Sequence, residues 1–166
     1  MSVSRFLPRA ELSSLLHCLE RTGYRCIGPP VREGAIVYDE VNHIDQLPEG
    51  VNDQQSPGQY RLTHSDSNRL FAWANGPQAI KPHLFSSRES LWRTERDDEG
   101  RLQFVETLPE SEPIAIIGAR SCDIAAMAIQ DQVFLHDQYR DPYYAQRRES
   151  LFVVAVNCSH PSQSCF

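Results

Sequence analysis

The stretch PIAIIGARSCD (residues 113–123) carries the strongest indication of the fold. Its first six residues form a continuous apolar run, which is typical of a strand buried on both faces of a parallel sheet. Ser121 or Asp123 is suited to cap a helix that follows this strand. After a polar helical stretch at 143–149, the apolar run LFVVAV (151–156) predicts a second strand. This order predicts a parallel β-α-β unit with a right-handed crossover.

The preceding part of the chain predicts shorter elements around this unit. Leucines at helical spacing predict an amphipathic helix over 9–22. We also predict strands at 24–27, 35–38, 59–63, 70–73 and 104–107, a loop over 41–58, and a short helix from Arg88. We therefore predict an α/β fold, with α+β as the alternative: a mixed sheet with a C-terminal parallel β-α-β unit, flanked by helices. The length of 166 residues fits one domain, 1–166.

The composition excludes several classes of partner. The net charge is −6, whereas a nucleic-acid or anionic-membrane surface needs clustered lysine and arginine. No apolar run approaches the roughly 20 residues that span a bilayer. The first eight residues, MSVSRFLP, lack the apolar segment of a signal peptide. We therefore expect a cytoplasmic protein that neither binds nucleic acid nor crosses a membrane.

Three of the five cysteines follow the two strongest predicted strands. Cys122 lies at the end of the first, and Cys158 and Cys165 lie beyond the second. The carboxyl ends of parallel strands share one sheet edge, so these thiols can converge on a metal ion or a cluster. The alternative is that Cys122 is a small buried residue and that the last two cysteines are disordered.

Charged residues mark a candidate anion site. A glycine turn and a helix N-terminus, with Arg120 beside them, favour the binding of an anion. Asp123 belongs to the same candidate cofactor site. Four more basic residues could line an anionic cofactor or cluster pocket, although exposed basic residues on helices are usually only solvated: Lys81, Arg88, Arg147 and Arg148. No complete set of acid, base and nucleophile is visible, so we predict no catalytic residue.

Several short segments occur together in one order. They are GPPVREG (28–34), QLPEG (46–50), PGQYRL (57–62), KPHLF (81–85), GARSCD (118–123), DPYYAQRRE (141–149) and the final C-x6-C-F (158–166). Together they resemble the N-terminal region of the four-iron ferredoxin-type beta subunits of soluble hydrogenases and sulfhydrogenases. They are also similar to the A subunit of anaerobic sulfite reductase. The resemblance spans nearly the whole chain.

The resemblance implies an iron–sulfur electron-transfer subunit of a hydrogenase-, sulfur-reductase- or sulfite-reductase-type complex. Such a subunit relays electrons between an NAD(P)H-linked flavoprotein and a catalytic subunit, through two [4Fe–4S] clusters held by C-x2-C-x2-C-x3-C-P repeats. Neither repeat is present here, and the family pattern continues with another cysteine. We therefore expect a domain cut after Cys165-Phe166 that binds no cluster by itself.

In the longer protein, Cys122, Cys158, Cys165 and that further cysteine could hold an additional cluster. Asp123 and His160 are the alternative ligands. This inference comes from the expected meeting of strand ends and not from a trait of the family. Two other functions stay open: a subunit-docking module without a redox centre, and a small α/β domain that binds an anion or a nucleotide.

Overall fold

The computed structural model describes residues 5–74, 80–109, 112–162 and 165. A 3-10 helix at Arg9–Glu11 leads into the first α-helix, and another lies at Ile44–Gln46. The helices and strands are α1 (Leu12–Arg21), β1 (Arg25–Gly28), β2 (Val31–Arg32), β3 (Ala35–Ile36), β4 (Asp39–Glu40), β5 (Val51–Ser56), β6 (Gln59–His64), α2 (Lys81–Leu84), β7 (Trp92–Arg96), β8 (Leu102–Glu106), β9 (Ile114–Ala119), α3 (Ser121–Leu135), α4 (Pro142–Glu149) and β10 (Leu151–Ala155).

A four-stranded mixed sheet forms the centre of the fold. Its strand order is β10-β9-β1-β4. Strands β1, β9 and β10 run parallel, and β4 is antiparallel to β1. Helices α3 and α4 connect β9 to β10, which confirms the predicted β-α-β unit and the α/β class. None of the helices within the described ranges is long and apolar enough to cross a bilayer.

Helices cover both faces of this sheet. All six residues of β9 are buried, as expected for a central strand. Ile116 packs in one cluster with Met127 of α3 and Tyr144 of α4. Ile117, which points to the opposite face, packs with Leu16 of α1. The alternation of side chains along β9 thus holds the two helical layers on either side of one strand.

Hairpins occupy much of the chain between β1 and β9. Strands β5 and β6 pair in full antiparallel register, although 41–58 was predicted to be a loop. That prediction was wrong because the strand is polar. Val51 and Asp53 are buried, while Gln54 and Ser56 are exposed, so burial alternates without an alternation of apolar residues. Hairpin β7–β8 confirms the strand predicted near Phe104.

Two further local predictions were wrong. The segment 70–73 forms no strand: its backbone bends at 71 and 73, the Trp73 side chain is buried, and the indole Nε1 donates to the carbonyl of Leu70 at 3.3 Å. No helix begins at Arg88. Instead, the Ser86 hydroxyl accepts from the backbone N–H of Arg88 and donates to its carbonyl, which closes a local turn. The helix in this region comes earlier, as α2.

Candidate functional site

A β-bulge at Gly118 lies near the end of the central strand β9, and the side chain of Arg120 beyond it is buried. Ile117 pairs with Val154 and Ala119 with Ala155, so Gly118 is skipped in the ladder. Gly118 has φ +88°, and a Cβ there would lie 2.7 Å from Cε1 of Phe71. Its carbonyl accepts a hydrogen bond from the Tyr38 hydroxyl at 3.0 Å. Only glycine fits both this backbone conformation and this close approach.

Arg120, two residues beyond the bulge, is the N-cap of α3 and is almost completely buried. Its exposed fraction is 2%. Its backbone N–H donates to Oδ2 of Asp123 at 2.9 Å, so Asp123 satisfies the start of the helix. Its guanidinium donates to the carbonyl of Trp73 and lies over the indole ring, with Cζ 4.3 Å from the ring centroid. These contacts compensate in part for burying a permanent charge.

The same guanidinium joins the two strand ends. Arg120 Nη1 donates to Sγ of Cys158 at 3.1 Å. Next to this contact, the backbone N–H of Val156 donates to the carbonyl of Ala119 at 2.8 Å. The structure therefore brings Arg120 and Cys158 together at the carboxyl edge of the sheet. Arg120 Nε is buried and has no hydrogen-bond partner among the described residues.

Asp53 of β5 completes this edge and was missed by the sequence analysis. Its carboxylate is buried and accepts from the backbone N–H of Ala74 and, at 2.7 Å, from the amide of Gln55. His160 Nε2 lies 3.1 Å from the Asp53 carbonyl and 3.9 Å from its Oδ1. The signal that could have identified Asp53 is its place two residues after Val51 on the buried face of β5.

The other two predicted thiols lie in different surroundings. Cys122 is exposed in the first turn of α3, where partial burial and the negative charge of Asp123 raise the pKa of its thiol. Cys165 Sγ lies 3.3 Å from the backbone N–H of Ser162 and 3.4 Å from its hydroxyl. These hydrogen bonds lower the pKa of the Cys165 thiol. The charge of Arg120 also lowers the pKa of both thiols, to a smaller extent.

The three thiols do not form a metal centre in this arrangement. Within the described part of the chain, no three histidine, cysteine or carboxylate side chains are grouped so that they could hold a metal ion. The sulfur of Cys158 faces a guanidinium, and that of Cys165 faces the Ser162 turn. As arranged, these residues do not fit a cluster. Ligation by Cys122, Cys158 and Cys165 stays a prediction.

The start of α3 is unfavourable for a bound anion. The N-terminus of a helix attracts negative charge, but here the carboxylate of Asp123 already occupies that position. Its charge would oppose a bound phosphate or carboxylate. The role of Arg120 and Asp123 in holding a cofactor thus stays a prediction, and the contacts described for both are internal ones.

Two of the other predicted basic residues form ion pairs with nearby carboxylates. Arg147 pairs with Glu89. Arg148 binds Asp131 of α3 through Nε at 3.0 Å and Nη2 at 3.1 Å. These contacts connect α4 to its neighbours, which is a structural use of both side chains.

These basic residues do not extend the carboxyl edge of the sheet. Arg147 lines a cavity with Arg25 and Ile114, the first residues of β1 and β9, and therefore lies at the amino end of the parallel strands. Lys81 is exposed, with Nζ 5.8 Å from the ring centroid of Phe85, and Arg88 is exposed. A cofactor role for these four residues stays a prediction.

Comparison with known proteins gives a distant relative. The chain is 26% identical to the beta subunit of sulfhydrogenase 2 of Pyrococcus furiosus over 142 residues, which are 86% of this chain and 34% of that subunit. This match supports a relation to hydrogenase beta subunits. The chain spans about a third of the length of the relative it matches. No protein-family model matches the chain, and no solved structure matches it.

Proposed function

We propose that this chain is a region of an electron-transfer subunit in a hydrogenase-, sulfur-reductase- or sulfite-reductase-type oxidoreductase complex. The observation that carries the proposal is the match to the sulfhydrogenase beta subunit, because it extends over 86% of the chain and is not confined to one motif. The ordered segments between 28 and 166 support the same assignment. The partners in this proposal are an NAD(P)H-linked flavoprotein and a catalytic subunit.

The proposed redox groups are [4Fe–4S] clusters held outside these 166 residues. C-x2-C-x2-C-x3-C-P repeats bind such clusters, and the chain has none. The region described here would then be the N-terminal, non-ferredoxin domain of a longer subunit.

The proposal is tested on the gene product read to its stop codon and purified without oxygen. We expect two ferredoxin-type repeats, a brown protein with iron and acid-labile sulfide, and a cluster signal that appears on reduction through the flavoprotein. A coding sequence without these repeats, together with a colourless product, would contradict an electron-transfer role.

The additional cluster is tested separately in that same protein. If Cys122, Cys158 and Cys165 hold it, the Cys122→Ser and Cys158→Ser variants should each lose about four iron atoms per chain, the content of one [4Fe–4S] cluster. Cys18→Ser is the matched control, because Cys18 is an exposed thiol in α1. Unchanged iron in the first two variants would rule out this cluster and leave the ferredoxin-type clusters unaffected.

A second candidate function is a docking module without a redox centre. One observation favours it: hairpin β7–β8 exposes 58% of Trp92 and 73% of Phe104. Large apolar side chains exposed together are typical of interaction surfaces. This function predicts a colourless full-length product that still co-purifies with a flavoprotein.

A further inference from the structure

Hairpin β7–β8 has two open edges and is exposed almost throughout. In the described residues it forms a separate two-stranded sheet, in which each strand pairs only with the other. Every residue of β7 is exposed. A two-stranded hairpin of this kind is marginally stable by itself and offers unpaired backbone groups to another strand.

The hydrogen bonds at the ends of the hairpin show which residues face its open edge. The carbonyl of Leu91 accepts from Thr107 N–H at 3.1 Å, and Asp97 N–H donates to the carbonyl of Arg101 at 3.0 Å. In an antiparallel pair the hydrogen-bonded positions alternate. Odd-numbered residues of β7 therefore bond to β8. The backbone groups of residues 92, 94 and 96 point outward.

The sequence of β7 is Trp-Arg-Thr-Glu-Arg (92–96). When two copies are aligned antiparallel with Thr94 opposite Thr94, their charges are complementary. In that alignment Trp92 lies opposite Arg96 of a second copy, and Arg93 lies opposite Glu95. We propose that β7 pairs antiparallel with β7 of a second copy about a twofold axis at Thr94. The outward groups of residues 92, 94 and 96 then meet their counterparts as hydrogen-bonded pairs.

Charge selects this register over its neighbours. Two neighbouring registers keep the backbone groups of residues 92, 94 and 96 hydrogen-bonded. In each of them one strand is shifted by two residues relative to the other. One places Arg93 opposite Arg93, and the other places Glu95 opposite Glu95. Like charges directly opposite one another destabilise a strand pair, and opposite charges stabilise it. Only the alignment centred on Thr94 pairs each of these arginines with a glutamate.

Arg93 and Glu95 already project from the face on which this alignment pairs them. Arg93 Nε lies 2.8 Å from Glu95 Oε1 within one strand, so both project from the same face of the hairpin. Two copies would place four alternating charges on that face. On the other face, Arg96 of the second copy would lie opposite Trp92. Its guanidinium donates to the carbonyl of Gly100 in its own chain at 2.7 Å, so it would have to leave that contact to lie over the exposed indole.

We therefore expect the full chain to form a dimer that single charge reversals weaken and a charge exchange between the two positions restores. Arg93→Glu and Glu95→Arg should each weaken dimerisation by at least about tenfold, because both symmetry-related pairs become repulsive. The exchange variant Arg93→Glu/Glu95→Arg should restore it. The matched control is Arg61→Glu in β6, which changes an exposed charge away from this edge and should leave the dimer intact. Sedimentation equilibrium measures all four variants and the unmodified chain.

Hydrogen exchange provides a second measurement that does not depend on a substitution. The amides of residues 92, 94 and 96 should become more protected as the protein concentration rises, whereas those of β10 should not. A chain that is monomeric at every concentration, or a dimer that withstands both single reversals, would overturn the proposal. Protection of these amides only when a different protein is added would also overturn it, in favour of that partner. None of these outcomes depends on the electron-transfer function.

Discussion

Replacing Trp73 by alanine is expected to lower the free energy of unfolding by about 3–5 kcal/mol, the usual cost of removing a large aromatic side chain from a core. Trp73 is 1% exposed and packs in the larger hydrophobic cluster. Its ring also lies beneath the guanidinium of Arg120. The variant therefore leaves a cavity and, in addition, takes from a buried cation one of its compensating contacts.

Urea unfolding followed by circular dichroism measures this effect. Trp92→Ala is the matched control, since it removes the same side chain from a position that is 58% exposed. At dilute concentrations that keep the chain monomeric, the control should change stability by no more than about 0.5 kcal/mol, as for most surface substitutions. Equal losses in the two variants would show that Trp73 does not have the packing role assigned to it.

Gly118→Ala is expected to lower the free energy of unfolding by about 2–5 kcal/mol, the sum of a backbone and a packing cost. The positive φ of +88° disfavours any residue with a Cβ. The added methyl group would also lie 2.7 Å from the ring of Phe71, so that this side chain or the strand end must shift. A shift of the strand end would displace Arg120 from Cys158.

Gly58→Ala separates the two costs of Gly118→Ala. Gly58 has a similar φ of +73°, but nothing lies within 4 Å of a Cβ added there. The Gly58→Ala variant should therefore lower the free energy of unfolding only by the backbone cost, about 1–2 kcal/mol. Thermal or urea unfolding of both variants gives the difference. If Gly118→Ala is no less stable than Gly58→Ala, the close approach of Phe71 does not restrict the bulge.

Strong local patterns allowed the elements nearest the candidate site to be predicted. The apolar run at 113–118 became β9, the leucine spacing became α1, and the polar helix before 151 became α4. Weaker patterns were misleading at β5, at 70–73 and at Arg88. Strand β5 is polar because its outer side chains meet water, and Asp53 is tolerated inside because Ala74 and Gln55 donate to its carboxylate. Composition cannot distinguish such a strand from a loop.

Local sequence was sufficient for the α/β class, the β-α-β unit and the position of Cys122 and Cys158 beyond two strands, because each depends on neighbouring residues alone. Tertiary contacts were needed to establish which side chains meet at that edge. Strand β1 pairs with β9, although the two are far apart in the sequence. Arg120 turns inward and contacts Trp73 and Cys158. Arg147 and Arg148 form ion pairs away from this edge. The physical reason is that burial and charge pairing join segments distant in the chain. A local pattern records that a residue is apolar or charged, but not which partner it will meet.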